Sequence, residues 1–155
     1  MLTYNEDLDG SGLTIAVVVS RFNSLVTERL LAGALEGLAE LGVPAGRTTV
    51  AWVPGAFELP FAARRLIETG VDAVVCLGCV IKGETDHDVY INQQVARGIA
   101  EAGEATGVPV IFGVVMTNSL EQALTRAEEG TTNQGYEAAQ AAVVMANLRR
   151  KLMKS

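Results

Sequence analysis

Histidine occurs once in these 155 residues, tryptophan once, cysteine twice and proline four times, and aromatic residues make up 5% of the chain. A zinc site takes three or four ligands, mostly histidine and cysteine, so this supply argues against a resident metal. The two cysteines, Cys76 and Cys79, spell C-x-x-C, but inside the apolar run DAVVCLGCVI (72–81). In a strand rising about 3.3 Å per residue they fall roughly 10 Å apart on opposite faces. A disulfide tolerates about 7 Å between Cα atoms. Two buried thiols are therefore expected rather than a redox pair.

Positive charge is in the minority, with 12 Lys and Arg against 18 Asp and Glu and a formal net charge of −6. That balance weighs against non-specific nucleic-acid binding and against an anionic membrane surface. A small anionic ligand held by one or two local bases stays compatible with it. No apolar run approaches the ~20 residues that span a bilayer. The acidic N-terminal stretch MLTYNEDLDGSG has the composition of neither a secretory signal nor a transit peptide, so a cytoplasmic protein is expected. GxGxxG, the Walker A pattern and G-x-S-x-G do not occur, and with them go the commonest dinucleotide, P-loop and hydrolase readings.

What the chain does have is 49% hydrophobic residues in a regular order, with no repeat, linker or low-complexity segment. The length and apolar fraction suit one domain over 1–155, with 1–12 as an N-terminal extension. Residues 13–19 (LTIAVVV) form a β-branched run of strand length. A helix follows, with Asn23 or Ser24 as N-cap, the stripe Val26, Leu30, Ala34, Leu38 and Leu41, and Gly42 and Pro44 as its stop. Next come a strand over 48–53, a helix over 58–69 and a strand over 72–81. A helix over 85–105 carries Val95, Ile99 and Ala102 on one face. After a strand over 108–115 come a short helix over 119–129 and a last one over 134–153, with Ala138, Ala141, Met145, Leu148 and Leu152 as its stripe. Strands apolar on both faces and separated by helices imply a parallel sheet covered on both sides. The expected fold is an α/β three-layer α-β-α sandwich, flavodoxin-like, with a four-stranded parallel sheet.

In such a sheet ligands sit beyond the carboxyl ends of the strands. Those ends read SRFN, PGAFE, KGETDH and MTNS, and most of the unusual chemistry lies there. His87 is the only group suited to move protons near neutral pH. Thr85, Asp86, His87 and Asp88 fit a capping box, and the N–H groups of Gly83, Glu84 and Thr85 could also receive an oxyanion. The acids there would oppose an anion, so a base is needed; Lys82 and Arg126 are candidates. Phe22 could stack on a planar ligand or cover the following helix. Glu58, after Phe57, suits a helix start as well as a polyol. Phe112 reads as core and Arg126 as a solvated helix face. SRFN is neither the hydroxyl-rich phosphate loop of a flavodoxin nor the acid pair of a receiver domain.

Taken in order, RFN (21–23), VPGAFELP (53–60), CVIKGETDH (79–87), FGVV (112–115), SLEQALTRA (119–127) and NQGYEAAQAA (133–142) resemble the lumazine synthases of riboflavin biosynthesis. The resemblance covers residues 13–148. It implies condensation of 5-amino-6-(D-ribitylamino)uracil with 3,4-dihydroxy-2-butanone 4-phosphate to 6,7-dimethyl-8-ribityllumazine, with loss of phosphate and two waters and without a cofactor. By position, it implies that Phe22 stacks on the pyrimidine and that the backbone of Cys79, Val80 and Ile81 bonds its edge. Ala56, Phe57 and Glu58 would line the ribityl chain, Glu84 and Thr85 would offer N–H groups to the phosphate, Arg126 would supply the cation, and His87 would be the acid/base. It further implies a homopentamer with Phe112 and Arg126 contributed across the interface, a 60-subunit shell in some members, residues 1–12 packing on a neighbour, and riboflavin synthase as a partner.

The chain departs from the family pattern in three places. Asp88 and Val89 stand between His87 and Tyr90, where an aromatic and then an acid are usual. Gln134 stands where lysine is common, and Asp86 adds negative charge beside the phosphate region. Weaker affinity for the butanone phosphate is expected. An oligomeric scaffold without turnover and a flavin-binding module are the alternatives. Phe22, Glu58, His87 and Arg126 together favour the enzyme.

Overall fold

The computed structural model describes residues 1–154. Its elements are β1 (Ile15–Ser20), α1 (Ser24–Glu40), β2 (Thr48–Val53), α2 (Leu59–Ile67), β3 (Ala73–Ile81), α3 (His87–Thr106), β4 (Val110–Thr117), α4 (Leu120–Arg126) and α5 (Gln134–Met153). The strands form one parallel sheet in the order β2-β1-β3-β4. Side-chain alternation divides the core. Ile15, Val17, Val19, Val75 and Leu77 face a layer built by α1, α4 and α5, whereas Ala16, Val18, Val74 and Cys76 face α2 and α3. This is the expected α-β-α sandwich, and it puts Cys76 and Cys79 in opposite cores as free thiols.

Coverage of the sheet is uneven. All six residues of β1 are buried, but β2 is an edge strand whose Val50 and Trp52 are partly exposed. Its apolar residues read like those of a central strand, because hydrophobicity does not tell a core face from an open one.

The last helix differs most from expectation. Its buried face carries Ala138, Ala139, Ala142, Val143 and Ala146, and Met145 is 41% exposed. Small residues win that face because α1 and α5 cross closely: a Cβ on Gly135 would lie 1.9 Å from the Leu30 carbonyl oxygen. The larger Met145 and Leu148 turn instead to a groove of about 750 Å³ shared with Pro109, Val110 and Ile111.

The α3 start also shifts. The helix begins at His87 with Asp86 as its cap residue, and the capping box does not form. Thr85 Oγ1 accepts from the His87 N–H at 3.3 Å, and Asp88 Oδ1 has no partner among the described residues. The short α4 stops at Arg126 rather than near Glu129, with Ser119 Oγ capping its start by accepting from Gln122 N–H at 3.2 Å.

Part of the N-terminal extension is pinned to its own chain. The Asn147 side-chain amide donates to the carbonyls of Asp7 and Asp9, both at 2.9 Å, and Arg150 donates to the Gly12 carbonyl at 2.9 Å. Residues 1–6 are exposed.

Candidate active site

The strand order turns back between β1 and β3, and the helices that follow them, α1 and α3, lie on opposite faces of the sheet, which leaves a crevice at the carboxyl ends. Beyond β1 the chain stays paired with the exit of β2. Arg21 N–H donates to Val53 O at 2.7 Å and Phe22 N–H to Pro54 O at 2.9 Å. This holds the Phe22 ring on the rim, 71% exposed. Asn23 then turns left-handed at φ 62°, a conformation asparagine tolerates better than most residues, and α1 begins. Its side chain does not cap that helix. Instead Nδ2 crosses the crevice and donates to the Cys79 carbonyl at 2.9 Å.

The β2–α2 connection forms the second wall. A single turn, Ala56–Glu58, precedes α2, and Glu58 Oε1 accepts from the Gly55 N–H at 2.9 Å. That bond fixes the carboxylate and leaves its other oxygen for a ligand. The end of β3 and the first turns of α3 supply the third wall, with His87 exposed at the helix start.

Together these segments enclose a cleft of about 520 Å³. All but three of the expected site residues line it: Phe22, Ala56, Phe57, Glu58, Cys79, Val80, Ile81, Thr85 and His87. The walls are apolar apart from a few carboxyl, hydroxyl and imidazole groups, the usual make-up of a small-molecule site. Gly83, Asp88 and Ile91 also line it. No sequence signal marks Ile91, and Asp88 lines the cleft without closing the capping box expected of it.

Glu84, Phe112 and Arg126 are not in that lining. Glu84 is exposed on the loop between Gly83 and Thr85. Phe112 is not a core residue: it pairs with Cys76 halfway along the sheet and is 44% exposed, because β4 is the other edge strand. Arg126 lines a separate hollow of about 290 Å³ at the end of β4, with Thr117, Asn118 and Gln122. It has no ion-pair partner among the described residues.

Burial pushes the Cys76 thiol up to about 12 and the Cys79 thiol to about 11. Both are thus protonated at neutral pH, and neither is a ready nucleophile. Among the described residues no group of three or more His, Cys, Asp or Glu is placed to hold a metal ion, and no helix is long and apolar enough to cross a membrane.

The site can therefore hold a planar ring against Phe22, accept hydroxyls at Glu58 and move a proton at His87. The family model described as 6,7-dimethyl-8-ribityllumazine synthase matches residues 12–150. Having nearly its whole length covered by that match, the chain belongs to the 6,7-dimethyl-8-ribityllumazine synthase family.

Proposed function

We propose that the cleft at the β1–β3 crevice binds ribitylaminouracil, and that His87 moves the protons of its condensation with the butanone phosphate. The enzyme is a transferase of riboflavin biosynthesis that acts on small molecules, as its family is. The observation that carries the assignment of residues is the convergence of Phe22, Glu58 and His87, from three different strand ends, on one cleft.

The roles follow from chemistry. Phe22 stacks on the pyrimidine, and the Cys79–Ile81 backbone meets its edge. One lone pair of the Cys79 carbonyl is already taken by Asn23. Ala56 and Phe57 flank the ribityl chain, and the free oxygen of Glu58 accepts its hydroxyls. Glu84 and Thr85 offer N–H groups to the phosphate. The primary amine adds to the ketone, water leaves to give an imine, phosphate is eliminated, and ring closure loses a second water. Each step needs a proton placed or removed, and one histidine can serve them in turn. Amine and ketone react without a covalent enzyme intermediate, so holding them together supplies much of the acceleration.

The same reading makes the site a shared one. Arg126 and Phe112 lie outside the cleft of their own chain, Phe112 is exposed on an edge strand, and Arg126 is unpaired. We assign both to the cleft of a neighbouring subunit in a homopentamer, where Arg126 meets the phosphate. Residues 1–6 would pack on a neighbour, and twelve pentamers would close a 60-subunit shell in the cytoplasm, with riboflavin synthase as the consumer of the product.

The test is to mix the purified protein with both substrates and follow the lumazine by fluorescence and the phosphate by titration, subtracting the uncatalysed rate. Equimolar release above background, reduced roughly 10²–10⁴-fold in His87→Ala, is the expected result. A folded oligomer with no rate above background would overturn the reading and leave a scaffold or a flavin binder.

A further inference from the structure

Asn133 is 2% exposed, and all its side-chain hydrogen-bonding groups are engaged. Oδ1 accepts from the backbone N–H of Gly135 at 2.8 Å and of Tyr136 at 3.1 Å, capping α5. Nδ2 donates to the Ala127 carbonyl at 3.0 Å and to the Arg29 carbonyl at 3.2 Å. The two N–H donors and two carbonyl acceptors fix which end of the amide is which. Only an amide can do this, since a hydroxyl has a single proton and a carboxylate none.

Two of those bonds go beyond capping. Ala127 is the residue immediately after Arg126 and ends α4. Arg29 lies in α1, one turn and a half beyond the Phe22–Asn23 corner of the cleft. The backbone N–H of Asn133 also donates to Gly130 O at 3.2 Å, closing the loop that joins α4 to α5. The α4 helix is only seven residues long, and its exposed end carries Arg126. Its other anchors are the Ser119 cap, the bond from Asn118 N–H to Gln122 Oε1 at 2.9 Å, and the apolar contacts of Ala123, Leu124 and Ala127 with the core. Methyl contacts resist separation but tolerate sliding, whereas a hydrogen bond to the carbonyl of Ala127 fixes where the helix ends.

We infer that Asn133 is a positioning residue for Arg126: its amide locks the end of α4 to α1, which holds the guanidinium where the butanone phosphate is bound. The inference rests on the role proposed above for Arg126. It adds a reason for an amide at this position, which a plain helix cap does not require, because serine and aspartate cap as well as asparagine does.

Both Asn133→Ser and Asn133→Asp keep an acceptor for the α5 cap; aspartate loses both donors to Ala127 and Arg29, and serine keeps at most one of the two. The KM for butanone phosphate is expected to rise about 10- to 100-fold in each, because an ångström of misplacement is enough for that. The KM for ribitylaminouracil should change by less than about threefold, since the bonds lost touch none of the residues assigned to that substrate. Combined with Arg126→Ala, either variant should add nothing further, as two changes on one interaction do. Asn147→Ala, which loses two buried bonds to the N-terminal segment, is the control for stability alone and should leave both KM values unchanged. Equal loss on both substrates, full additivity with Arg126→Ala, or failure of both Asn133 variants to fold would overturn the inference. An inactive wild-type protein would instead refute the function proposed above.

Discussion

The side-chain amide of Asn23 and the carbonyl of Cys79 meet at 2.9 Å across the open ends of β1 and β3. The bond joins the two strands where the sheet turns back, beneath the rim that carries Phe22. Asn23 serves a second purpose, since it is the only non-glycine residue with positive φ among the described residues.

Replacement of Asn23 separates these roles. Asn23→Gly loses the hydrogen bond, about 0.5–1.5 kcal/mol, and takes the Cβ out of the left-handed region. Asn23→Ala loses the same bond and keeps a Cβ there, a conformation that costs roughly 1–2 kcal/mol, without the polar side chain that lets asparagine tolerate it. Urea denaturation should rank wild type above glycine and glycine above alanine. A glycine variant less stable than the alanine variant would contradict the backbone part of this explanation.

The two thiols give a prediction with a defined pH sense. Burial raises both above the ordinary thiol value of 9.0, to about 12 for Cys76 and about 11 for Cys79. The folded chain therefore holds protons that the unfolded chain releases above pH 9, so this contribution to stability is complete below 9 and is lost as the pH rises past it. A thiol reagent at pH 8 should label the native protein slowly and the urea-unfolded protein at both cysteines. Fast labelling of the native state would show that the strand is more open than described.

Gln134 stands where the family commonly has lysine, and its side chain donates to Glu137 at 3.2 Å on its own helix. Gln134→Lys should lower the KM for butanone phosphate about two- to tenfold at low salt, and the gain should shrink as salt rises. An unchanged KM would place this position away from the phosphate.

Much of this was legible from the sequence, for identifiable reasons. The β-branched runs and helical stripes specified the sandwich, because β1 and the body of β3 are buried on both faces and are apolar there but for Ser20 at the end of β1. The cleft was legible because connections that leave adjacent parallel strands towards opposite faces open a crevice at their carboxyl ends whatever the side chains are. The α5 stripe was misread, because Met145 and Leu148 outweigh the alanines in hydrophobicity while the alanines, with Gly33 and Gly135, set the α1–α5 distance. Phe112 was misread as core for a similar reason: pattern alone does not reveal which strand is an edge. The bonds of Asn23 to Cys79 and of Asn133 to Arg29 join residues 56 and 104 positions apart, and no local spacing signals them.

The central claim is that His87 of one subunit and Arg126 of another act on the same substrate pair. It is tested most directly by mixing His87→Ala and Arg126→Ala subunits, unfolded and refolded together. Neither variant alone has a site with both residues intact. If the site is shared between neighbours, random mixing gives about a quarter of the sites an intact pair, and activity should return to roughly that fraction of wild type. If each chain supplies both residues to its own cleft, mixing recovers nothing, and a flat result from well-folded mixed oligomers would contradict the shared site.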